Sequence, residues 1–249
     1  MKFGVVVFPG SNCDDDMMHV LGRVLGADVR KLWHKDTSLE GFENEDCIVL
    51  PGGFSYGDYL RAGAIARYSP IMQSVIAFAN NGGKVWGICN GFQILCESGL
   101  LPGALVRNQE QKFISKNIYL RVETTESLIT RQCQPGQVLK MPIAHAEGRY
   151  IPEDGGLKSL LDHDQVLFRY CDADGTLASD NGSTDHIAGI CNLERNVFGM
   201  MPHPERASEA VLGNTDGLVL FNSIYAAVTE PLQFRDLDIY KKQSVFISY

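Results

Sequence analysis

Short apolar runs alternate with amphipathic stretches through the first hundred residues. Residues 3–8 form a continuous, valine-rich run, which is typical of a strand buried on both faces of a parallel sheet. Three aspartates at 14–16 then precede apolar positions with helical spacing, as at the start of a helix. Further strands are predicted at 27–33, 46–50 and 85–88, and a helix at 70–79. Strands that alternate with helices predict a mostly parallel sheet.

After residue 103 the pattern changes to short strand-like runs that Gly, Asp and Asn interrupt. Five are predicted as antiparallel or mixed additions to the sheet: residues 112–122, 138–144, 166–171, 187–192 and 196–201. An amphipathic helix at 216–228 closes the pattern. We therefore expect one α/β domain over residues 1–230, with a mostly parallel central sheet between layers of helices. Residues 231–249 are expected to be a C-terminal extension, and the sequence does not assign it a role.

Composition narrows the class of protein. The chain has 249 residues, 45% of them hydrophobic, which is enough for one sizeable core. Its formal net charge of −8 argues against nucleic acid or an anionic membrane as the main partner. Seven irregularly spaced cysteines without a CxxC pair favour reduced thiols in the cytoplasm and give no support to a zinc or redox site. The N-terminus is expected to be a strand and not a signal peptide, and no apolar run reaches transmembrane length.

The strand predicted at 85–88 leads directly into Cys89, with Gly87 and Gly91 on either side and a helix-like run from Asn90. This is the pattern of a nucleophile elbow, a sharp turn that exposes the nucleophile and tolerates only small neighbours. The following helix N-terminus favours the thiolate. The segment therefore predicts acyl transfer through a covalent thioester. The alternative is a buried structural thiol, which is the expectation for the following five: Cys47, Cys96, Cys133, Cys171 and Cys191.

A catalytic cysteine needs a base and a group that orients the base. His203 and Glu205 are two residues apart, and Pro204 disfavours helix at His203, so both side chains are predicted on one side of an extended segment. The alternative is a rigid loop with an exposed ion pair. His145 and Glu147 have the same spacing and are a second candidate pair. They could instead contact the substrate or the partner, and the sequence leaves both roles open. The remaining histidines are expected to be surface or structural residues: His19, His34, His163 and His186.

A thioester route also requires donors for the tetrahedral oxyanion. The backbone N–H of Asn90, directly after the nucleophile, is one candidate. The second is expected from the glycine-rich loop that begins at Gly52 and Gly53, where the backbone can approach closely. The alternatives are a phosphate-binding loop and a plain turn. The segment lacks the lysine and the serine or threonine of a nucleotide P-loop, which counts against phosphate binding.

The chain resembles the class I (triad) glutamine amidotransferases in its opening segment and in four motifs that follow in order. The opening is FPGSNCD, and the motifs are GGFSYGDYLR, GICNGFQ, PIAHAEGRY and GMMPHPER. Within that family the chain is most similar to the glutaminase subunits of phosphoribosylformylglycinamidine synthase, an enzyme of purine synthesis. The resemblance spans the chain up to about residue 230 and implies the family's α/β fold. One departure is Ala146, where the familiar motif has glycine.

The resemblance implies hydrolysis of glutamine and transfer of the ammonia. By position, it implies a catalytic triad of Cys89, His203 and Glu205, oxyanion donors at Gly53 and Asn90, and a glutamine-binding side chain at Gln93. It implies no cofactor and no metal on this chain. ATP and Mg²⁺ are expected on a large synthetase subunit, which converts formylglycinamide ribonucleotide to the amidine, and a small bridging subunit is the second expected partner.

Three alternatives remain open at this point. The chain could be the glutaminase subunit of another amidotransferase, a cysteine-elbow hydrolase or protease of related fold, or a non-catalytic regulatory subunit. The HPE motif and the GGFSYGD loop count against the hydrolase. The presence of all three triad residues counts against the regulatory subunit.

Overall fold

The computed structural model describes residues 1–226. Its strands are β1 (Lys2–Val7), β2 (Asp28–Trp33), β3 (Cys47–Leu50), β4 (Lys84–Ile88), β5 (Ala104–Val106), β6 (Ile114–Val122), β7 (Val138–His145), β8 (Arg149–Ile151), β9 (Val166–Cys171), β10 (Ile187–Cys191) and β11 (Val197–Met200). Its α-helices are α1 (Asp14–His19), α2 (Pro70–Asn80), α3 (Asn90–Glu97), α4 (Gly156–Asp162) and α5 (Leu218–Ala226). A π-helical turn at Val20–Val24 continues α1.

A nine-stranded sheet runs through the molecule in the order β2-β1-β3-β4-β11-β10-β9-β6-β7. The first five strands in this order are parallel to one another. The other four continue the sheet with antiparallel pairings. The prediction of a central sheet with parallel and antiparallel parts is therefore confirmed.

Local sequence explains the parallel part. All four residues of β3 are buried, and so are the four central residues of β1, as expected of strands with neighbours on both faces. Pro70 stands in the first turn of α2, where its missing N–H costs no hydrogen bond. Three aspartates occupy the first turn of α1, where the helix dipole favours negative charge.

Some predictions fail in detail. The strand predicted at 196–201 as an antiparallel or mixed addition is β11, which is parallel to β4 and antiparallel to β10, although its position inside the sheet was not predicted. The two-stranded sheet of β5 and β8 and the short helix α4 were not predicted, because three- and seven-residue elements show no periodicity. The closing helix begins at Leu218, and the predicted positions 227–228 and the extension 231–249 lie outside the described residues. Within residues 1–226, no helix is long and apolar enough to cross a membrane.

Candidate active site

The candidate residues lie where strands end at one edge of the sheet. The strands β1, β3, β4 and β11 are adjacent and parallel, so the segments that follow them meet at their carboxyl ends. These segments carry Cys13, Gly53, Cys89 and His203 in that spatial order. Open parallel sheets bind ligands at this edge. The topology therefore brings together residues from four distant parts of the sequence.

Cys89 sits on a strained turn between β4 and α3. Its backbone angles are φ +50° and ψ −106°, a conformation that non-glycine residues rarely adopt. A Cβ on Gly91 would lie 1.8 Å from the Leu50 carbonyl oxygen, and one on Gly87 would lie 2.6 Å from the Gly91 carbonyl carbon. Both glycines are therefore required for the turn, and the predicted elbow is confirmed.

His203 and Glu205 form a buried hydrogen-bonded pair. The His203 Nδ1 lies 2.6 Å from the Glu205 Oε1, and both residues are 2% exposed. The backbone N–H of His203 donates to the Pro142 carbonyl at 2.9 Å, which fixes the segment against β7. The alternative of an exposed ion pair is wrong, because this pair is inside the protein.

The electrostatics favour a charged imidazole at His203. Burial lowers the pKa of His203, but the Glu205 carboxylate and then the Cys89 sulfur outweigh burial, and the pKa lies well above its ordinary value. The Nε2 atom of His203 is buried without a hydrogen-bond partner. A cysteine that interacts with a histidine, which a carboxylate orients in turn, is the arrangement expected of a nucleophile and its base.

His145 occupies a different environment from His203. Its Nδ1 lies 3.1 Å from the Asn108 Oδ1, while the Glu147 carboxylate accepts from the backbone N–H of Ala62 at 3.0 Å. Burial, then repulsion from His203, lowers the pKa of His145 to about 4, so the ring is neutral at pH 7. The alternative pair of His145 and Glu147 therefore does not form.

The two expected oxyanion donors, Gly53 and Asn90, follow the neighbouring parallel strands β3 and β4. Asn90 is the first residue of α3, where backbone N–H groups have no partner within the helix. Gly53 has φ +135°, and a Cβ there would lie 2.7 Å from the backbone nitrogen of Asn12. A Cβ on Gly52 would lie 2.6 Å from the His203 Cε1. The absence of a side chain at Gly52 thus lets the β3 loop pass directly beside His203.

Gln93 joins a buried polar network behind the elbow. Its Oε1 accepts from the Asn90 Nδ2 at 2.9 Å, and its Nε2 donates to the Glu147 carbonyl at 2.6 Å. The Asn90 side chain also donates to Asp58 at 3.3 Å. Burial and the nearby Glu147 raise the pKa of Asp58 to about 6. The network ties the elbow to the glycine-rich loop and to the segment after β7.

Cys13 is a site residue that the sequence did not single out. It is 2% exposed, and its sulfur accepts from the Arg206 guanidinium at 3.1 Å. Sulfur, nitrogen and oxygen atoms of Cys13, His203 and Glu205 lie within 4.8 Å of one another. The sequence signal that could have identified Cys13 is its position shortly after β1, because β1 is the strand next to β3.

The other predicted structural residues fit their surroundings. All seven cysteines are free thiols; Cys96 is partly exposed, and the other four thiols expected to be structural are buried. His34 is buried and lies 2.8 Å from the Tyr56 hydroxyl, while His19 forms a partly exposed pair with Glu209. These histidines are structural or surface residues, as predicted.

Comparison with known proteins agrees with this geometry. Residues 1–217 match the family described as CobB/CobQ-like glutamine amidotransferase domain. Phosphoribosylformylglycinamidine synthase subunit PurQ of Koribacter versatilis is 55% identical over 233 residues, which cover 92% of this chain and all of the relative. The subunit of that name from Moorella thermoacetica is 56% identical, covering 90% of this chain and 95% of its own length.

Solved structures share the fold. A chain in the structure of PurLQS from Thermotoga maritima has a TM-score of 0.81 and 43% identity, covering 91% of this chain and 98% of that one. A glutamine amidotransferase from the same organism has a TM-score of 0.55 at 15% identity. The match covers 98% of this chain and 86% of that one, and it shows the fold alone.

Proposed function

The chain belongs to the family of CobB/CobQ-like glutamine amidotransferase domains, and from that premise we propose that it is the glutaminase subunit of phosphoribosylformylglycinamidine synthase. The observation that carries the proposal is the buried pair of His203 and Glu205 beside the strained Cys89 elbow. Relatives that bear this subunit name match over nearly their whole length at more than half identity.

In the first half of the reaction, the Cys89 thiolate attacks the side-chain carbonyl carbon of glutamine. The oxyanion of the tetrahedral intermediate accepts hydrogen bonds from the backbone N–H groups of Gly53 and Asn90. The His203 imidazolium donates its proton to the leaving nitrogen, the carbon–nitrogen bond breaks, and ammonia leaves a glutamyl thioester on Cys89. Glu205 holds His203 in the required tautomer.

In the second half, the neutral His203 accepts a proton from water. The hydroxide attacks the thioester carbonyl, the carbon–sulfur bond breaks, and glutamate leaves with the Cys89 thiolate restored. The sum is glutamine plus water to glutamate plus ammonia. Gln93 shapes the glutamine site from the first turn of α3, where its amide is fixed by Asn90 and Glu147.

Ammonia then passes to a large synthetase subunit, with a small bridging subunit as the third component. The 43% identical chain from a structure of PurLQS supports an assembly of this kind. In this proposal the synthetase holds ATP and Mg²⁺ and forms the amidine, so the ligase activity belongs to the complex. No cofactor is required for the chemistry of Cys89, His203 and Glu205 on this chain.

We also propose that the amidotransferase domain spans residues 1–230 and that residues 231–249 extend it. The Koribacter relative is matched over its entire length by 92% of this chain. Seven free thiols support a reducing compartment, the cytoplasm.

Replacing Cys89 by alanine tests the function. Glutamine-dependent amidine synthesis by the complex should fall by about 10⁴-fold or more, because the nucleophile is lost. Ammonia-dependent synthesis should be unchanged, because the synthetase subunit is intact. The matched control is Cys191→Ala, which alters a buried thiol far along the sequence in β10 and should retain glutamine-dependent activity. Glutamine-dependent synthesis that survives in Cys89→Ala would overturn the assignment.

A further inference from the structure

A second thiol, that of Cys13, lies close to His203 and Glu205. Cys13, His203 and Glu205 are the only group of three or more ligand-type side chains, within residues 1–226, whose ligand atoms lie this close together. All three residues are at most 2% exposed. We propose that these three side chains form an inhibitory site for a thiophilic divalent cation such as Zn²⁺.

The donor set fits zinc in both chemistry and distance. Thiolate, imidazole and carboxylate are its usual ligands, and three protein ligands plus water complete a tetrahedron. Tetrahedral zinc holds such atoms about 3.3 to 3.6 Å apart, at the bond lengths that these ligands adopt. The three ligand atoms lie within 4.8 Å of one another, so small side-chain rotations close the site.

One buried atom points to a missing partner. The Glu205 Oε2 is buried without a hydrogen bond. Buried polar atoms of this kind are uncommon because they lose their hydration without compensation. The substrate reaction leaves this second Glu205 oxygen unused, and a cation would satisfy it.

Arg206 and Asn12 hold the Cys13 sulfur in place. The Arg206 guanidinium donates to this sulfur at 3.1 Å, and Asp16 pairs with the same guanidinium at 3.1 Å. The Cys13 thiol donates to the Asn12 Oδ1 at 3.3 Å, and a bound cation would displace that proton. Such outer partners orient metal ligands in general. The positive charge of Arg206 is itself offset by Asp16, which limits its repulsion of a bound cation.

Metal binding and glutamine hydrolysis would exclude each other. A cation held by His203 Nδ1 and Glu205 replaces the proton that these two groups share at 2.6 Å. The ring then loses the Glu205 contact that orients it and favours the imidazolium, so its other nitrogen can no longer take up and release the proton that the leaving nitrogen needs. The inhibitory consequence rests on the proposed function, whereas the binding itself does not.

Binding is measured first without turnover, using the full chain with Cys89→Ser so that Cys13 is the remaining thiol beside His203. Titration with Co²⁺ should produce a thiolate-to-metal charge-transfer band, and calorimetry with Zn²⁺ should give one tight site. Adding Cys13→Ser should abolish the band and weaken zinc by at least about 100-fold, since a direct ligand is lost. Adding Glu205→Gln should also weaken zinc and serves if Cys13→Ser does not fold. Cys133→Ser, a buried thiol outside the group, should leave both signals intact.

A charge-transfer band or zinc affinity that persists in both the Cys13→Ser and the Glu205→Gln backgrounds would overturn the site.

The inhibitory part is then tested on the complex with Cys89 intact. Zn²⁺ should suppress glutamine-dependent synthesis reversibly, with a chelator as rescue, and should spare ammonia-dependent synthesis. The zinc sensitivity of each protein is its rate with zinc divided by its own zinc-free rate. A Cys13→Ser protein as sensitive to zinc as the protein with Cys13 would overturn inhibition through this site. Failure of the proposed function would instead show as no glutamine-dependent synthesis in any protein.

Discussion

At the scale of single residues, the balance between burial and charge at His203 decides the chemistry. Burial alone would keep the imidazole neutral, as it does at His145. Glu205 reverses this at His203, because a carboxylate 2.6 Å away stabilises the imidazolium. Burial therefore has opposite outcomes at two neighbouring histidines, because the pKa is lowered at His145 and raised at His203.

Replacing Glu205 by glutamine should expose this balance. The pKa of His203 should fall, because its largest favourable charge is removed, and burial should then dominate. If activity requires the imidazolium, the alkaline limb of the glutaminase pH profile should move to lower pH. The rate at the optimum should fall by about 10² to 10⁴-fold through loss of the correct tautomer.

The matched control is Glu209→Gln, which removes the carboxylate of another His–Glu pair, formed with the partly exposed His19. Its pH profile should coincide with that of the unmodified protein. An alkaline limb that stays in place in Glu205→Gln would mean that Glu205 does not set the charge of His203.

At the scale of elements, the strand–elbow–helix unit of β4 and α3 depends on backbone contacts as much as on the thiol. Gly91 lies against the β3 backbone at a distance that leaves no room for a methyl group. The φ of +50° at Cys89 is held by this packing and by the Cys89 N–H bond to the Met200 carbonyl at 2.8 Å. Strain of this kind persists only where the surroundings over-determine it.

Gly91→Ala should therefore destabilise the protein by about 3 kcal/mol or more, because the new Cβ would overlap the Leu50 carbonyl oxygen at 1.8 Å. Chemical denaturation followed by circular dichroism measures the free energy of unfolding. Gly156→Ala is the control: its nearest neighbour would be an ordinary contact at 3.4 Å at the start of α4, and alanine is the better helix former. An equal free energy of unfolding in the two variants would contradict the steric account.

The sequence predicted elements wherever the pattern was long or the constraint was local. β1, β3 and β4 followed from buried apolar runs, and the elbow followed from glycines two residues from Cys89. The position of β11 inside the sheet could not be predicted, because buried parallel and antiparallel strands look alike in sequence.

At the scale of the whole molecule, the sheet order assembles the site. Only the pairing of β1, β3, β4 and β11 brings Cys13 to His203, and Arg206 reaches Cys13 across 193 positions of sequence. Such contacts depend on strand order, which no local pattern contains. The elbow and the pairing of His203 with Glu205 were predictable because their motifs are local, whereas the Cys13 contact and the partner of His145 were not.

The pKa values of the cysteines determine which thiols an alkylating reagent can modify at neutral pH. Burial raises the pKa of Cys133 and Cys171 to about 11 and that of Cys47 and Cys191 to about 12, and it raises the pKa of Cys96 as well. These five thiols are therefore poor nucleophiles at neutral pH. A reagent directed to the glutamine site should discriminate sharply among the seven cysteines.

That reagent is a glutamine analogue with an alkylating ketone, applied to the complex with its synthetase and bridging subunits and followed by mass spectrometry. We expect a single adduct on Cys89 that an excess of glutamine prevents. Adducts spread over several cysteines, or labelling of Cys89 that glutamine does not reduce, would contradict the claim that Cys89 is the nucleophile of a glutaminase.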